Sequence, residues 1–199
     1  MSREAPSAAG QLPAHADTPN PECRVAVHRG LDTLARSFKT QLVGQIGESL
    51  VVAELGRRGI VATAFAGNVP DIDLLTYKNG KTQALQVKAW RTGSVHFDAT
   101  RFLNISINGN IQNVDAIDEE LDPDLIYVFV LVGERIGGDR FFILTQRKLQ
   151  SQISDNYRAY LAKHGGQRPR NAQTTHHAVT HADLMPFEDD WSLIEQRFD

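Results

Sequence analysis

The sequence predicts an α/β fold with a mixed β-sheet flanked by helices, on three observations. An Asn-Gly pair at residues 79–80 lies between two short apolar runs, which is the strongest local signal of a β-hairpin. A longer apolar run, LIYVFVLV at residues 125–132, is typical of a strand buried on both faces. Apolar residues at helical spacing between about residues 25 and 60, and again from Thr145 to about Leu161, predict helices.

Length and composition favour one domain. The chain has 199 residues, 41% of them hydrophobic, which is enough for a sizeable core. We expect a disordered tail at residues 1–24 and a single domain over residues 25–199. The one cysteine, Cys23, has no partner for an internal disulfide, and neither a signal peptide nor a membrane-length apolar run is evident. These features predict a cytoplasmic protein without a membrane segment.

The first long helix carries a conspicuous acid. Within residues 40–58, Glu48 lies beside the apolar stripe, where a carboxylate is costly unless it is hydrogen-bonded, paired or bound to metal. The alternative is a glutamate that reaches solvent through its flexible stem. Gly44 and Gly47 each cost about 1 kcal/mol relative to alanine inside a helix, which predicts close backbone approach at both. Gly59 ends the helix.

The predicted hairpin follows a short strand at residues 60–65 and a loop at 66–70. Because alternate residues of a strand share a face, Asp71 and Asp73 are expected on one face of the first hairpin strand. Gln86 and Lys88 are expected on one face of the second strand. The apolar residues that alternate with these polar ones on both strands are expected to point to the core. The alternative is that these polar side chains simply face water.

The order of these residues resembles a known superfamily. Gly-Glu at 47–48, Pro-Asp-Ile-Asp at 70–73 and Gln-Val-Lys at 86–88 resemble the PD-(D/E)XK nucleases, which have the restriction-endonuclease-like fold. The variant with glutamine in place of the final acid is similar to group I intron-associated homing endonucleases and Mrr-type restriction enzymes. The resemblance covers residues 43–91.

The resemblance implies a metal-dependent endonuclease that hydrolyses DNA phosphodiester bonds with a metal-activated water. Its catalytic residues would be Glu48, Asp73, Gln86 and Lys88, and its cofactor Mg²⁺, with Mn²⁺ as a substitute. Asp73 is the first metal ligand, joined by Glu48 and Gln86, with Asp71 as a second choice. Lys88 would orient the attacking water, stabilise the pentavalent state or accept a proton. Neutral Gln86 removes one negative charge, which disfavours a second tightly held metal.

Candidate contacts to nucleic acid are the basic and aromatic residues after the hairpin strands and in a later loop, namely Lys78, Lys81, Trp90, Arg91, Arg168 and Arg170. Basic residues concentrate at 78–101 and 139–170, and acids at 115–124 and 183–199, which is compatible with one basic face. The formal net charge of −3 counts against a nucleic-acid binder. The alternative to one basic face is that these charges are scattered over the folded surface. Trp90 is alternatively a half-buried residue that ends a strand.

The remaining elements follow in order. We expect a strand at 102–107, a polar turn at 108–113, a loop or short helix at 115–124 and a strand at 140–144. Thr145 caps the next helix, and a polar loop and strand follow at 164–181. His176, His177 and His181 lack the accompanying residues of a zinc signature. An amphipathic segment at 186–198 is expected to pack on the core or on a partner subunit.

Two rival functions remain open. The first is a non-catalytic nucleic-acid- or protein-binding module on the same fold, such as a partner in phage defence or recombination. The second is an exonuclease or repair enzyme that acts on DNA structure. For the endonuclease we expect a homo-oligomer, a dimer or higher, because one site cuts one strand at a time. We expect no small-molecule cofactor. The sequence does not choose between DNA and RNA on its own.

Overall fold

The computed structural model describes the backbone of residues 21–65 and 71–199 and the side chains of residues 38–65 and 71–199. Contacts divide the chain into two units, Met1–Phe38 and Lys39–Asp199. Most of the predicted tail at residues 1–24 lies outside the described residues, so the domain boundary at residue 25 stays a prediction. None of the helices in the described part of the chain combines the length and apolar character that a membrane span requires.

Nine strands are assigned within the described residues: β1 (Val61–Ala64), β2 (Leu74–Lys78), β3 (Lys81–Trp90), β4 (Val95–Asp98), β5 (Leu103–Asn108), β6 (Ile111–Ile117), β7 (Ile126–Leu131), β8 (Arg140–Thr145) and β9 (His176–Val179). The α-helices are α1 (Pro21–Arg57), α2 (Gln146–Lys163), α3 (His181–Leu184) and α4 (Ser192–Glu195). Single-turn 3₁₀ helices lie at Ala99–Arg101, Met185–Phe187 and Gln196–Phe198.

The main sheet is mixed, which confirms the predicted fold class. Its strand order is β1-β2-β3-β7-β8, with β3 and β7 parallel and the other neighbours antiparallel. The predicted central strand at 125–132 is β7, and its residues 126–130 are all buried because layers cover both of its faces. Two small antiparallel sheets, β4-β9 and β5-β6, lie outside the main sheet.

Alternation along β7 shows how the two core layers are built. Tyr127 and Phe129 belong to one apolar cluster, together with residues of α2, β4 and β9. Val128 and Val130 belong to another, together with residues of α1 and of the C-terminal segment. Because adjacent strand residues point to opposite faces, one strand contributes to both layers.

The C-terminal segment packs on the core, as the sequence predicts. Trp191, Ile194 and Phe198 are buried in the cluster that contains α1. Thr145 caps α2 as predicted, and its hydroxyl accepts a hydrogen bond from the backbone N–H of Lys148 at 3.3 Å.

Strand β6 occupies the end of the predicted turn at 108–113 and the start of the predicted loop or short helix at 115–124, so both predictions are wrong there. The turn of the β5-β6 hairpin needs only Gly109, whose φ of 61° is left-handed, and Asn110. Gln112 is buried on the inner face of β6, where its amide donates to the carbonyl oxygens of Ala172 and Thr174 at 2.6 and 3.1 Å. A glutamine at a core position hides the alternation that would have indicated a strand.

Candidate active site

The β2-β3 hairpin forms as its Asn-Gly pair predicts. Asn79 and Gly80 have φ angles of 53° and 80°, the left-handed values that a two-residue hairpin turn requires. Leu74 pairs with Leu85, and both are fully buried. Asp73 lies just before β2, where its backbone N–H donates to the carbonyl oxygen of Leu85 at 2.9 Å. The hairpin therefore brings Asp73 beside the second half of β3.

The Asp73 carboxylate is fixed by two donors from β3. Its Oδ2 accepts a hydrogen bond from the backbone N–H of Val87 at 2.7 Å and another from the side-chain amide of Gln86. Gln86 is itself buried. An amide that donates through Nε2 keeps its carbonyl oxygen as an acceptor, so Gln86 both orients Asp73 and offers a neutral oxygen ligand.

Glu48 is brought to the sheet by a close helix–strand contact. A side-chain carbon at Gly47 would collide with the Cβ atom of Ala89 on β3, so only glycine lets α1 approach this closely. This confirms the close approach predicted at Gly47. The same prediction is wrong for Gly44, where an added Cβ would meet no atom of the described residues within 4 Å.

Burial shapes the charge of Glu48. Burial and, second, the negative charge of Asp73 raise the pKa of Glu48, while the positive charge of Lys88 opposes the rise. The side chain is only half-buried and lines a groove of about 610 Å³ between α1 and β1, which makes it accessible to small ligands.

Lys88 is the cation of the site. Burial is the main cause that lowers its pKa, and the positive charge of Arg101 lowers it further. Asp73, Asp71 and Glu48 act in the opposite direction without cancelling the effect of burial. Lys88 shares a face of β3 with Gln86, as predicted. Their partners on β7, Phe129 for Lys88 and Tyr127 for Gln86, lie in the same core layer.

The four predicted catalytic residues therefore form one group, which we call the Asp73 cluster: Glu48, Asp73, Gln86 and Lys88. Gln86 is linked to Asp73 by a hydrogen bond, and Glu48 and Lys88 interact electrostatically with Asp73 and with each other. A lysine with a lowered pKa that interacts with two carboxylates is typical of functional sites.

Asp71 does not share a strand face with Asp73, so that prediction is wrong. The φ of Asp71 is 61°, which is left-handed and takes the residue out of the extended conformation before β2 begins. Its carboxylate instead forms an ion pair with the guanidinium of Arg101. Residues 66–70, including Pro70, lie outside the described residues.

Lys78 and Lys81 lie at the turn of the hairpin, at the other end of β3 from Lys88. Lys88 lies seven residues further along β3 than Lys81, which corresponds to about 23 Å at about 3.3 Å per residue. The Lys78 ammonium donates to the carbonyl oxygen of Arg58 at 3.4 Å, and that of Lys81 donates to the carbonyl oxygen of Asp199 at 2.7 Å. These contacts anchor the hairpin turn, and a contact of either lysine with nucleic acid stays a prediction.

Trp90 packs into the core and also lines the groove beside Arg91, so its assignment as a nucleic-acid contact stays a prediction. It is 7% exposed, and its ring packs against Phe142 and Phe129 with centroid distances of 5.9 and 6.5 Å. Arg91, the next residue, is exposed and lines a groove of about 750 Å³ with residues of α1 and β4. Arg91 thus remains placed to contact a ligand.

Arg168 is held by neighbouring side chains. Its guanidinium lies over the rings of Tyr157 and Tyr160, at 4.8 and 5.1 Å from their centroids, and donates to the carbonyl oxygen of His176 at 2.6 Å. It therefore has a structural role in this arrangement. Arg170 is exposed, and its contact with nucleic acid stays a prediction.

The donor set of the Asp73 cluster suits magnesium. Within the part of the chain that the structure describes, no three His, Cys, Asp or Glu side chains are grouped to hold a metal ion. Mg²⁺, however, is usually bound by one or two carboxylates together with waters and substrate phosphates. Asp73, Glu48 and the amide oxygen of Gln86 match that requirement and lack the thiolate or imidazole ligands that zinc prefers.

Arg101 is a further charged residue near the site, and no motif in the sequence assigns it there. It belongs to the predicted basic stretch at 78–101, but nothing in the sequence places it beside Lys88. The available signal is local: Asp98 caps the 3₁₀ turn that carries Arg101, and a capped turn holds its residues in a fixed place.

Comparison with known proteins gives a structural similarity but no match at the level of sequence families. No family model and no curated protein matches this sequence. Among solved structures, the chain is similar to the bacterial homing endonuclease I-Ssp6803I, with 14% sequence identity and a TM-score of 0.43. The match covers 79% of this chain and 93% of that one.

Proposed function

We propose that this chain is a metal-dependent endonuclease that hydrolyses DNA phosphodiester bonds. The observation that carries the proposal is the Asp73 cluster, in which a half-buried lysine with a lowered pKa interacts with two carboxylates. Phosphodiester hydrolysis needs a nucleophilic water and positive charge beside the phosphorane, and these residue types supply both once a cation is bound.

Asp73, Glu48 and Gln86 would hold the ion, with Mg²⁺ as the cofactor and Mn²⁺ as a substitute. When bound, the ion would polarise the phosphate and lower the pKa of a water molecule. The hydrogen bonds from Gln86 and Val87 keep the Asp73 carboxylate in one orientation. Lys88 in its charged form orients a water or stabilises charge on the phosphate, and in its neutral form it accepts a proton.

DNA is the preferred substrate because the Gly-Glu, Asp-Ile-Asp and Gln-Val-Lys segments resemble those of DNA endonucleases. A single cluster cuts one strand at a time, so cleavage of both strands would require a homo-oligomer, at least a dimer. On a supercoiled plasmid, cleavage of one strand gives the nicked circle, and cleavage of both strands gives the linear product.

The test is cleavage of supercoiled, linear and single-stranded DNA in Mg²⁺, Mn²⁺ or EDTA. We expect cleavage only with a metal. Lys88→Ala and Asp73→Asn should each reduce the rate by at least about a hundredfold, because each removes a group from the reacting centre. Circular dichroism and urea unfolding establish that both variants are folded.

Lys148→Ala is the matched control. Lys148 is exposed on α2, so its loss removes one positive charge without touching the Asp73 cluster. Undiminished cleavage by folded Lys88→Ala or Asp73→Asn would contradict the proposal. Binding of DNA in EDTA without metal-dependent cleavage would instead identify a binding module.

A further inference from the structure

Arg101 and Asp71, the second-choice metal ligand of the sequence prediction, form an ion pair next to the Asp73 cluster. The Nη2 atom of Arg101 meets Oδ1 of Asp71, and the two side chains are 52% and 42% exposed. Ion pairs at this degree of exposure contribute little net stability, because water competes for both partners. The pair is thus easily opened by a competing anion.

The backbone that carries Arg101 is fixed more firmly than its guanidinium. Oδ1 of Asp98 accepts hydrogen bonds from the Thr100 backbone N–H at 3.1 Å, the Thr100 hydroxyl at 2.8 Å and the Thr175 hydroxyl at 2.6 Å. Ala99 is fully buried, and its N–H donates to the Thr175 carbonyl oxygen at 2.9 Å. Arg101 therefore extends a half-exposed side chain from an anchored turn.

The charge of Arg101 reaches the candidate active site. Its positive charge contributes to the lowered pKa of Lys88. The same charge opposes the rise that burial imposes on the pKa of Tyr127, which lies on the same side of the sheet as Lys88. Two cations, Arg101 and Lys88, thus act on one region.

We propose that Arg101 binds a backbone phosphate of DNA at the Asp73 cluster and exchanges Asp71 for that phosphate when DNA enters. This inference rests on the proposed function. A guanidinium is suited to the exchange because its planar donors match carboxylate and phosphate oxygens equally well. Asp71 holds the guanidinium in place in the free protein and competes with DNA for it.

The proposal predicts effects of opposite sign at the two partners. Arg101→Ala removes a phosphate contact, so affinity for DNA should fall about five- to tenfold and the slope of log K against log salt should decrease by about 0.9. Asp71→Asn removes the competing carboxylate, so affinity should rise. An ion pair with a purely structural role would give losses in the same direction for both variants.

Binding is measured by fluorescence anisotropy with a labelled DNA duplex in EDTA, over a range of NaCl concentrations, so that cleavage does not interfere. Urea unfolding shows that the variants are folded. The control is a second surface ion pair, Arg147–Glu119, which lies on α2 and the loop before β7. Arg147→Ala and Glu119→Gln should leave the affinity for DNA unchanged.

Opposite signs for Arg101→Ala and Asp71→Asn, with no change in the control pair, support the proposal. Unchanged affinity and salt slope for Arg101→Ala overturn the assignment of Arg101 while leaving the proposed nuclease intact. Failure of the unaltered chain to bind DNA overturns both. If the unaltered chain binds DNA but does not cleave it in Mg²⁺, the nuclease proposal fails, and the binding data still decide the role of Arg101.

Discussion

Glu48 and Lys88 have pKa values that shift toward each other, with burial as the main cause in both. Burial disfavours the charged form of either group, so the pKa of the acid rises and that of the base falls. Asp73 reinforces the shift at Glu48 and opposes it at Lys88. The protonation states of the site are therefore sensitive to any charge that enters it, which is a property expected of acid–base chemistry.

His177 shows the same effect at a position outside the site and allows a test by pH. Its side chain is buried, and its Nε2 atom has no hydrogen-bond partner among the residues that the structure describes. Burial and, second, the positive charge of Arg168 lower its pKa. Below pH 6.5 the unfolded chain binds a proton that the folded chain does not. The free energy of unfolding should therefore fall as the pH decreases from 6.5 toward the folded pKa, by up to about 1.4 kcal/mol per pH unit.

His177→Leu should remove this contribution. Urea unfolding of the unaltered chain and the variant at pH 8 and pH 5 measures it, and the difference in unfolding free energy should move in favour of the variant at pH 5. A difference that is the same at both pH values would show that His177 does not titrate in this way.

At the residue scale, the sequence was informative where chemistry and local spacing coincide. Asp73, Gln86 and Lys88 were predictable because strand alternation and one hairpin bring them together. Asp71 was not, because its left-handed φ breaks the alternation, and nothing in the residue type demands that conformation. Trp90 shares the face of Lys88, but only the tertiary packing shows that this face is covered by the core at that point.

At the scale of elements, the contact between α1 and β3 determines where Glu48 lies. Gly47→Ala should destabilise the protein by about 1–3 kcal/mol, because the new methyl group collides with the short, rigid side chain of Ala89. Separation of helix and strand would also move Glu48 from the cluster and slow DNA cleavage. Urea unfolding and the plasmid assay measure the two effects.

Gly44→Ala is the matched control, since it lies one turn earlier and its added methyl group meets nothing within 4 Å in the described part of the chain. It should stabilise the protein by up to about 1 kcal/mol through helix propensity. Equal effects of the two substitutions would show that the approach at Gly47 is not close.

Elements with a single dominant signal were predictable, and those that depend on buried polar residues were not. Strand β7 is an unbroken apolar run, and α2 begins at a threonine cap. Strand β6 instead buries Gln112, which also accepts a hydrogen bond from the Tyr157 hydroxyl at 2.5 Å. That partner is 45 residues away in sequence, so no local pattern indicates that Gln112 faces inward.

At the scale of the whole molecule, the C-terminal segment supports the turn end of the hairpin that carries the candidate site. The Asn79 side chain donates to the carbonyl oxygen of Phe198 at 3.3 Å, and Lys81 donates to that of Asp199. Lys88 lies at the other end of the same strand. The support and the chemistry are thus separated along β3, and a change in one should leave the other largely intact.

Phe198→Ala tests this separation. Phe198 is 2% exposed in the layer between the sheet and α1, so its truncation should lower the free energy of unfolding by about 3–5 kcal/mol. Ile136→Ala is the control, because Ile136 is fully exposed and its loss should change stability by less than about 0.5 kcal/mol. At temperatures where Phe198→Ala remains folded, its DNA cleavage rate should match that of the unaltered chain. A rate that falls while the variant is still folded would show that the C-terminal layer also positions the Asp73 cluster.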